Sequence, residues 1–400
     1  MTTTDPLEAL PSWPMPRSCP LLPPDQYAEL RKDPPQQVRL DDGQLAWIIS
    51  RYPDLREAMR NPALSVDITR PGFPIRLPLP PVPRIQSFLR MDAPEHTRLR
   101  RMVMPELGAA AVKTYRPMVQ ALVDDLIAAL AAGPRPADLL PGFAFPIPAL
   151  TIAKILGVPE ADVDAFQQQT LALTVCDLGS SSVTDAFAAL SAYLDELIRG
   201  KQAHPGDDLI SRLVTRYWAT GQLDHQDLVS MVFLILVAGH ETTANQITLS
   251  VLTLLQHPEE ITPMLEVPGR LDKVIDELLR YWSIPQDNQV RVTRAETELG
   301  GVPVGPGQGV VFAISAANHD ETVFPDPDTF NPDRDAHNHL AFGFGAHYCP
   351  GAALAKLELE LALPALFRAF PDLRLGVDFS ELSFRHDTVV YGLDALPVTW

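Results

Sequence analysis

A single cysteine in a glycine-rich loop, set immediately before a long amphipathic run, constrains this chain more than any other feature. The loop is Phe342-Gly343-Phe344-Gly345-Ala346-His347-Tyr348-Cys349-Pro350-Gly351, and the run is Ala352-Ala353-Leu354-Ala355-Lys356-Leu357-Glu358-Leu359-Glu360. The spacing of its apolar residues predicts a helix, and Pro350 suits the first helical position. A thiolate just ahead of a helix meets free N–H groups and the positive end of the helix dipole, and both favour the anion. Gly343, Gly345 and Gly351 permit close backbone approach to a flat ligand. The bland alternative is a buried structural cysteine. Another is a nucleophilic Cys–His pair with His347, but a nucleophile does not account for Phe342 and three glycines at these spacings. The pattern calls for a cysteinate bound to a large planar metal cofactor.

Composition narrows the setting. The chain has 400 residues, 46% of them hydrophobic, ample for a sizeable core. Its net charge of −18 argues against nucleic acid and against an anionic membrane surface. Three cysteines, Cys19, Cys176 and Cys349, are too few and too odd in number for a disulfide framework, so a reducing cytoplasm is expected. The start, Met1-Thr2-Thr3-Thr4-Asp5-Pro6, has neither the basic nor the apolar region of a signal peptide. The longest apolar run, 231–239, is too short to span a bilayer, and a soluble protein is expected.

Regular elements read mainly as helix. Segments 110–132, 185–199, 227–256 and 271–281 carry apolar residues at helical spacing. Strand-like pieces are few and short: 45–49, 309–314 and 389–391. Forty prolines, against a usual share of about 5%, cluster at 71–94 and 325–332 and mark long irregular segments. No composition break marks a second domain. The expectation is one mainly α domain, residues 1–400, with small peripheral β-sheets.

Four further constellations stand out. Ala238-Gly239-His240-Glu241-Thr242-Thr243 places polar groups inside an apolar helix, which costs stability and favours local opening of the helical ladder. Its bland reading is a polar seam between packed helices. His240-Glu241 begins a zinc-protease pattern, but Ala244 stands where the second histidine belongs. Glu277 and Arg280 share one helix face, a pair of little worth if exposed. In Met91-Asp92-Ala93-Pro94-Glu95-His96-Thr97-Arg98-Leu99-Arg100-Arg101, Asp92 is placed to cap a helix on which His96 and Arg100 project together. Finally, Gln289-Val290-Arg291-Val292-Thr293-Arg294 brings two cations close in sequence.

Phe342, Gly345, His347, Cys349 and Gly351 meet every fixed position of the haem-binding signature of the cytochrome P450 family, the haem-thiolate monooxygenases, and the chain resembles that family over nearly its whole length. The resemblance implies the family's mainly helical fold, haem b ligated by Cys349, and O₂ as co-substrate. Phe342 is then expected beside the sulfur. Glu241 and Thr242 become the acid–alcohol pair that relays protons to dioxygen. His96, Arg100, Arg291 and His347 become partners of the haem propionates, whose carboxylates want charge-assisted donors; Arg294 is close enough to compete with Arg291. Glu277, Arg280 and Arg334 become a buried structural ion cluster. By position, Phe88, Leu89, Leu173, Leu234, Ala238, Ile284, Val389 and Val390 are expected to line an apolar substrate pocket, with segment 70–84 beside its entrance and Cys176 in its roof or in the core.

Such an enzyme hydroxylates or epoxidises an apolar small molecule: a macrolide, terpenoid, steroid or xenobiotic. The chain has no G-x-G-x-x-G after a strand, so its electrons are expected from NAD(P)H through a ferredoxin and its reductase. Arg98, Arg101 and Lys356 are candidates for a basic docking patch, and a monomer is expected. Competing readings are a haem-thiolate peroxygenase or dehydratase, which the acid–alcohol pair disfavours, and a non-catalytic recruitment scaffold, which intact Cys349, His96, Arg100 and Arg291 disfavour.

Overall fold

The computed structural model describes residues 10–74, 87–163, 165, 181–286, 289–386 and 388–400. Leu173, Cys176 and residues 75–84 of the proline-rich segment lie outside them. The described chain forms two compact units. One gathers Met1–Arg76, Pro268–Cys349 and Phe384–Gly392; the other gathers Leu77–Val267, Pro350–Ser383 and Leu393–Trp400.

The first unit is built on a six-stranded sheet in the order Ser12–Trp13, Gln36–Leu40, Leu45–Ile49, Gly309–Phe312, Val290–Thr293 and Leu64–Ser65. Its hairpin turns at Gly43, whose φ of +82° suits glycine and whose N–H donates to the Leu40 carbonyl at 2.9 Å. Leu45–Ile49 then runs parallel to Gly309–Phe312, pairing Ala46 with Gly309. A Cβ at Gly309 would sit 3.2 Å from Pro74 and 3.3 Å from Ala46, so the pairing leaves little room for a side chain there. Ile48, Ile49, Val292, Val310, Val311 and Phe312 are buried, which is why these short β-branched pieces form strands. The segment 389–391, expected as a strand, makes only an isolated bridge between Val390 and Pro285.

The second unit is helical. Glu95–Leu107, Ala109–Ala132, Pro146–Leu156, Ser181–Ala203, His225–Gln256 and Ala352–Ala369 are its main elements. The Glu95–Leu107 helix has Pro94 as N-cap, and the Asp92 carbonyl accepts from the His96 N–H at 3.0 Å. The Ala352–Ala369 helix starts two residues later than Pro350, with Gly351 as N-cap. It packs on Ala109–Ala132, Pro146–Leu156 and His225–Gln256.

His225–Gln256 is the central helix of this unit. Asp224 caps it by accepting from the Asp227 N–H at 2.6 Å. Among the described residues it alone is long and apolar enough to cross a bilayer, and it extends well beyond the apolar run 231–239. Half of its most apolar stretch is buried within the structure, as befits the core helix of a globular unit.

Candidate active site

In the first unit the cysteine loop is held by its own backbone. The Cys349 N–H donates to the Phe342 carbonyl at 2.8 Å, and the Gly343 N–H donates to the Leu340 carbonyl at 2.8 Å. Gly343 and Gly345 adopt φ of +72° and +75°. At Gly345 a Cβ would come within 2.9 Å of the Met59 carbonyl oxygen, so this position is closed to side chains on two counts. Two guanidinium groups lie against the Phe344 ring, Arg56 at 4.5 Å and Arg60 at 4.2 Å from its centre. The Phe342 ring packs 5.7 Å from that of His339 and 6.3 Å from that of Tyr348. Cys349 and His347 are half-buried. Burial, and then the neighbouring Cys349, raise the Tyr348 phenol above its usual range.

The loop's anchor reaches into the core of the same unit. Glu277 and Arg280 are fully buried and doubly bonded, Nε to Oε2 at 2.7 Å and Nη2 to Oε1 at 2.8 Å. Arg334 Nε lies 3.3 Å from Glu277 Oε1, and the Asn331 N–H also donates to that oxygen at 3.0 Å. Every strong donor or acceptor of the pair is thus occupied, as a buried charge requires. Arg280 Nη1 donates to the Asn318 carbonyl at 2.8 Å, and the Asn318 side-chain oxygen accepts from the Leu340 N–H at 2.7 Å. Asn318 therefore connects the ion cluster to the loop. Sequence reading missed it, because a lone Asn in a short helix carries no pattern.

Arg291 lies in the sheet opposite Val310, with its guanidinium 5.0 Å from the Phe312 ring centre and Nη1 donating to the Val290 carbonyl at 2.8 Å. Arg294 falls beyond the strand end and is exposed. Ile284 and Val390 are buried, and Val389 is half-buried.

In the second unit, His96 is buried, with its ring 6.4 Å from that of buried Phe88, and Arg100 follows one turn later, half-buried. Leu89 is 40% exposed. Arg98 is pinned by Glu95 at 2.8 Å, Asp227 at 3.4 Å and the Gln222 carbonyl at 2.8 Å, so two carboxylates already offset its charge. The central helix runs unbroken through Gly239, so the polar turn does not open it. Instead, side chains add bonds to its carbonyls. Thr242 Oγ1 donates to the Ala238 carbonyl at 2.8 Å, Asn245 Nδ2 donates to the Glu241 carbonyl at 2.9 Å, and His240 Nδ1 is bonded to the Leu236 carbonyl. Ala238 is exposed while Leu234, Glu241 and Thr242 are half-buried, in a helix whose other faces are largely buried. Burial lowers the His240 pKa to about 4, so this histidine is neutral. It stacks on Phe145 at 6.0 Å.

Glu358 is the second residue missed. It lies in the helix after the cysteine, where an acid in an amphipathic run reads as a surface charge. It is 2% exposed. Burial raises its pKa to about 8 although the Thr243 and Thr151 hydroxyls favour the ionised form.

The donor set fits an iron porphyrin. The half-buried Cys349 thiol, at the end of a loop whose Gly343 and Gly345 take left-handed φ, suits a thiolate ligand of haem iron. Comparison with known proteins agrees. The Cytochrome P450 family profile matches residues 270–373. The chain is 40% identical to the Vitamin D3 dihydroxylase of Streptomyces griseolus over 100% of this chain and 99% of that one. It is 39% identical to the Mycinamicin VIII C21 methyl hydroxylase of Micromonospora griseorubida over 97% and 99% of the two chains. The crystal structure of cytochrome P450 MoxA from Nonomuraea recticatena superposes with a TM-score of 0.92 at 40% identity, covering 97% and 98% of the two chains. The chain belongs to the cytochrome P450 family and is a haem-dependent monooxygenase with O₂ as its co-substrate.

Proposed function

We propose that this monooxygenase hydroxylates or epoxidises a bulky apolar secondary metabolite of the macrolide, terpenoid or steroid class, or a xenobiotic of similar character. The whole chain acts as one catalytic domain, a monomer of the cytoplasm fed with electrons from NAD(P)H by a ferredoxin and its reductase. The observation that carries this reading is the Thr242 hydroxyl, half-buried and bonded at 2.8 Å to the carbonyl of Ala238, an exposed apolar residue within a largely buried stretch of the helix. Relatives named for hydroxylating mycinamicin VIII and vitamin D3 support the substrate class.

Haem, when bound, supplies the activation of dioxygen and its insertion into a C–H or C=C bond. Cys349 would ligate its iron as thiolate. Pro350 has no N–H, so the first backbone donors after the sulfur are those of Gly351 and Ala352. Phe342 shields the sulfur from water. His96, Arg100, His347 and Arg291 would hold the two propionates; Arg291 is favoured over Arg294 by its half-buried place in the sheet. Glu241 takes up protons from solvent, and Thr242 holds one at Oγ1 and passes it on. Phe88, Leu234, Ala238, Ile284, Val389 and Val390 supply apolar wall, and Leu89 lies at its margin.

The test is reconstitution. The purified holoenzyme, given a ferredoxin, its reductase and NADPH, should oxidise at least one member of a macrolide, terpenoid and steroid panel. Turnover of such a substrate with hydrogen peroxide alone, and none with the ferredoxin chain, would overturn the reading in favour of a peroxygenase.

A further inference from the structure

The segments that carry Ile284 and Val389–Val390 form a narrow ribbon in the first unit. Pro285 bridges Val390, the Gln286 N–H donates to the Val389 carbonyl at 3.0 Å, and the Tyr391 N–H donates to the Ile284 carbonyl at 2.8 Å. Gln286 Nε2 adds a bond to the Thr388 carbonyl at 3.2 Å. A two-stranded ribbon of this length is not stable alone. What fixes it from behind is the segment after the first strand. The Arg17 guanidinium lies 3.9 Å over the ring of Tyr391, which is fully buried. Its Nε donates to Gln286 Oε1 at 3.4 Å, and its Nη1 donates to the Leu22 carbonyl at 2.7 Å. Tyr391 returns the contact, its hydroxyl donating to the Pro20 carbonyl at 2.6 Å. Arg17 thus touches both sides of the ribbon, Gln286 on one and Tyr391 on the other.

We propose that Arg17 is a positioning residue for substrate specificity: it sets how far the ribbon presents Ile284, Val389 and Val390 to the substrate. This rests on the reading that those three residues line the pocket. The guanidinium plane suits the task, since it stacks on an aromatic face while its edge donates to two partners. Lysine keeps the charge but lacks that geometry.

The experiment compares two haem-coordinating probes on the holoenzyme by optical titration. Imidazole is small and contacts little wall; clotrimazole is bulky and contacts much. Arg17→Ala should weaken clotrimazole about tenfold, a loss of about 1.4 kcal/mol, while leaving imidazole and the reduced carbon monoxide spectrum unchanged. Arg17→Lys should fall between. Gln286→Ala removes the same link from the other side, and its effect should be less than additive with Arg17→Ala; it also serves if Arg17→Ala fails to fold. Ile284→Ala and Val390→Ala test the underlying reading. If they shift the clotrimazole-to-imidazole ratio and neither Arg17→Ala nor Gln286→Ala does, the wall reading stands and the proposal falls. If they leave the ratio unchanged, the wall reading falls and takes the proposal with it. Equal weakening of both probes by Arg17→Ala would mark Arg17 as merely structural.

Discussion

Glu358→Gln should change how stability depends on pH. Glu358 binds its proton more tightly folded than unfolded, because burial raises its pKa from 4.5 to about 8. The stability linked to that proton is fully present below the unfolded value and is lost as pH rises through the folded one. At about 1.4 kcal/mol per unit, the whole window is worth about 5 kcal/mol. Between pH 6 and pH 9 the part still to be lost is about 2–3 kcal/mol, flattening above pH 8. Glutamine keeps the shape and cannot ionise, so the variant should lack this slope and gain on the parent at high pH. Urea unfolding of parent and variant holoenzyme across that range measures the difference. Infrared difference spectra of the native proteins should show a protonated carboxyl stretch that the variant loses. Parallel stability curves, or a carboxylate band assigned to Glu358 at pH 6, would refute the reasoning, because a carboxyl whose pKa is about 8 is protonated at pH 6.

Glu277→Gln leaves Arg280 buried and charged without its counter-ion, and a loss of about 3–5 kcal/mol is expected in urea unfolding. Gly345→Ala forces a side chain into a left-handed backbone against the Met59 carbonyl. About 1–3 kcal/mol of strain should show as faster haem loss to an acceptor protein. Thr242→Ala should lower product formation about a hundredfold while NADPH consumption continues and hydrogen peroxide accumulates; Thr242→Ser should recover most of the product.

The helices and the cysteine loop were legible because their signals are local. A 3.6-residue period marks 110–132 and 227–256, which fold as Ala109–Ala132 and His225–Gln256, and the loop's chemistry needs residues within ten positions of one another. The sheet was mostly hidden. Its strands are two to five residues long, and neighbours such as Leu45–Ile49 and Gly309–Phe312 lie far apart in sequence. Val389, Val390 and Tyr391 have strand-like side chains, but only Val390 finds a bridging partner. Helix ends were less legible than helices: Pro350 has the chemistry of a first helical position, while the helix begins at Ala352. Glu358 was unreadable because its burial is decided by the helices packed around it, not by its own.

Asn318 sets a rule for anyone who grafts or shuffles this scaffold. Its carbonyl serves Arg280, its side-chain oxygen serves Leu340, and its amide donates to Ser283 Oγ at 2.7 Å, all with no exposed surface. Aspartate would lose the amide donor and bury a negative charge with no counter-ion of its own; leucine would lose both side-chain bonds. A chimaera that exchanges the short helix Ile314–Asn318 must therefore keep asparagine at its last position. Otherwise the hybrid's ion cluster and its cysteine loop become two parts that no longer report to each other.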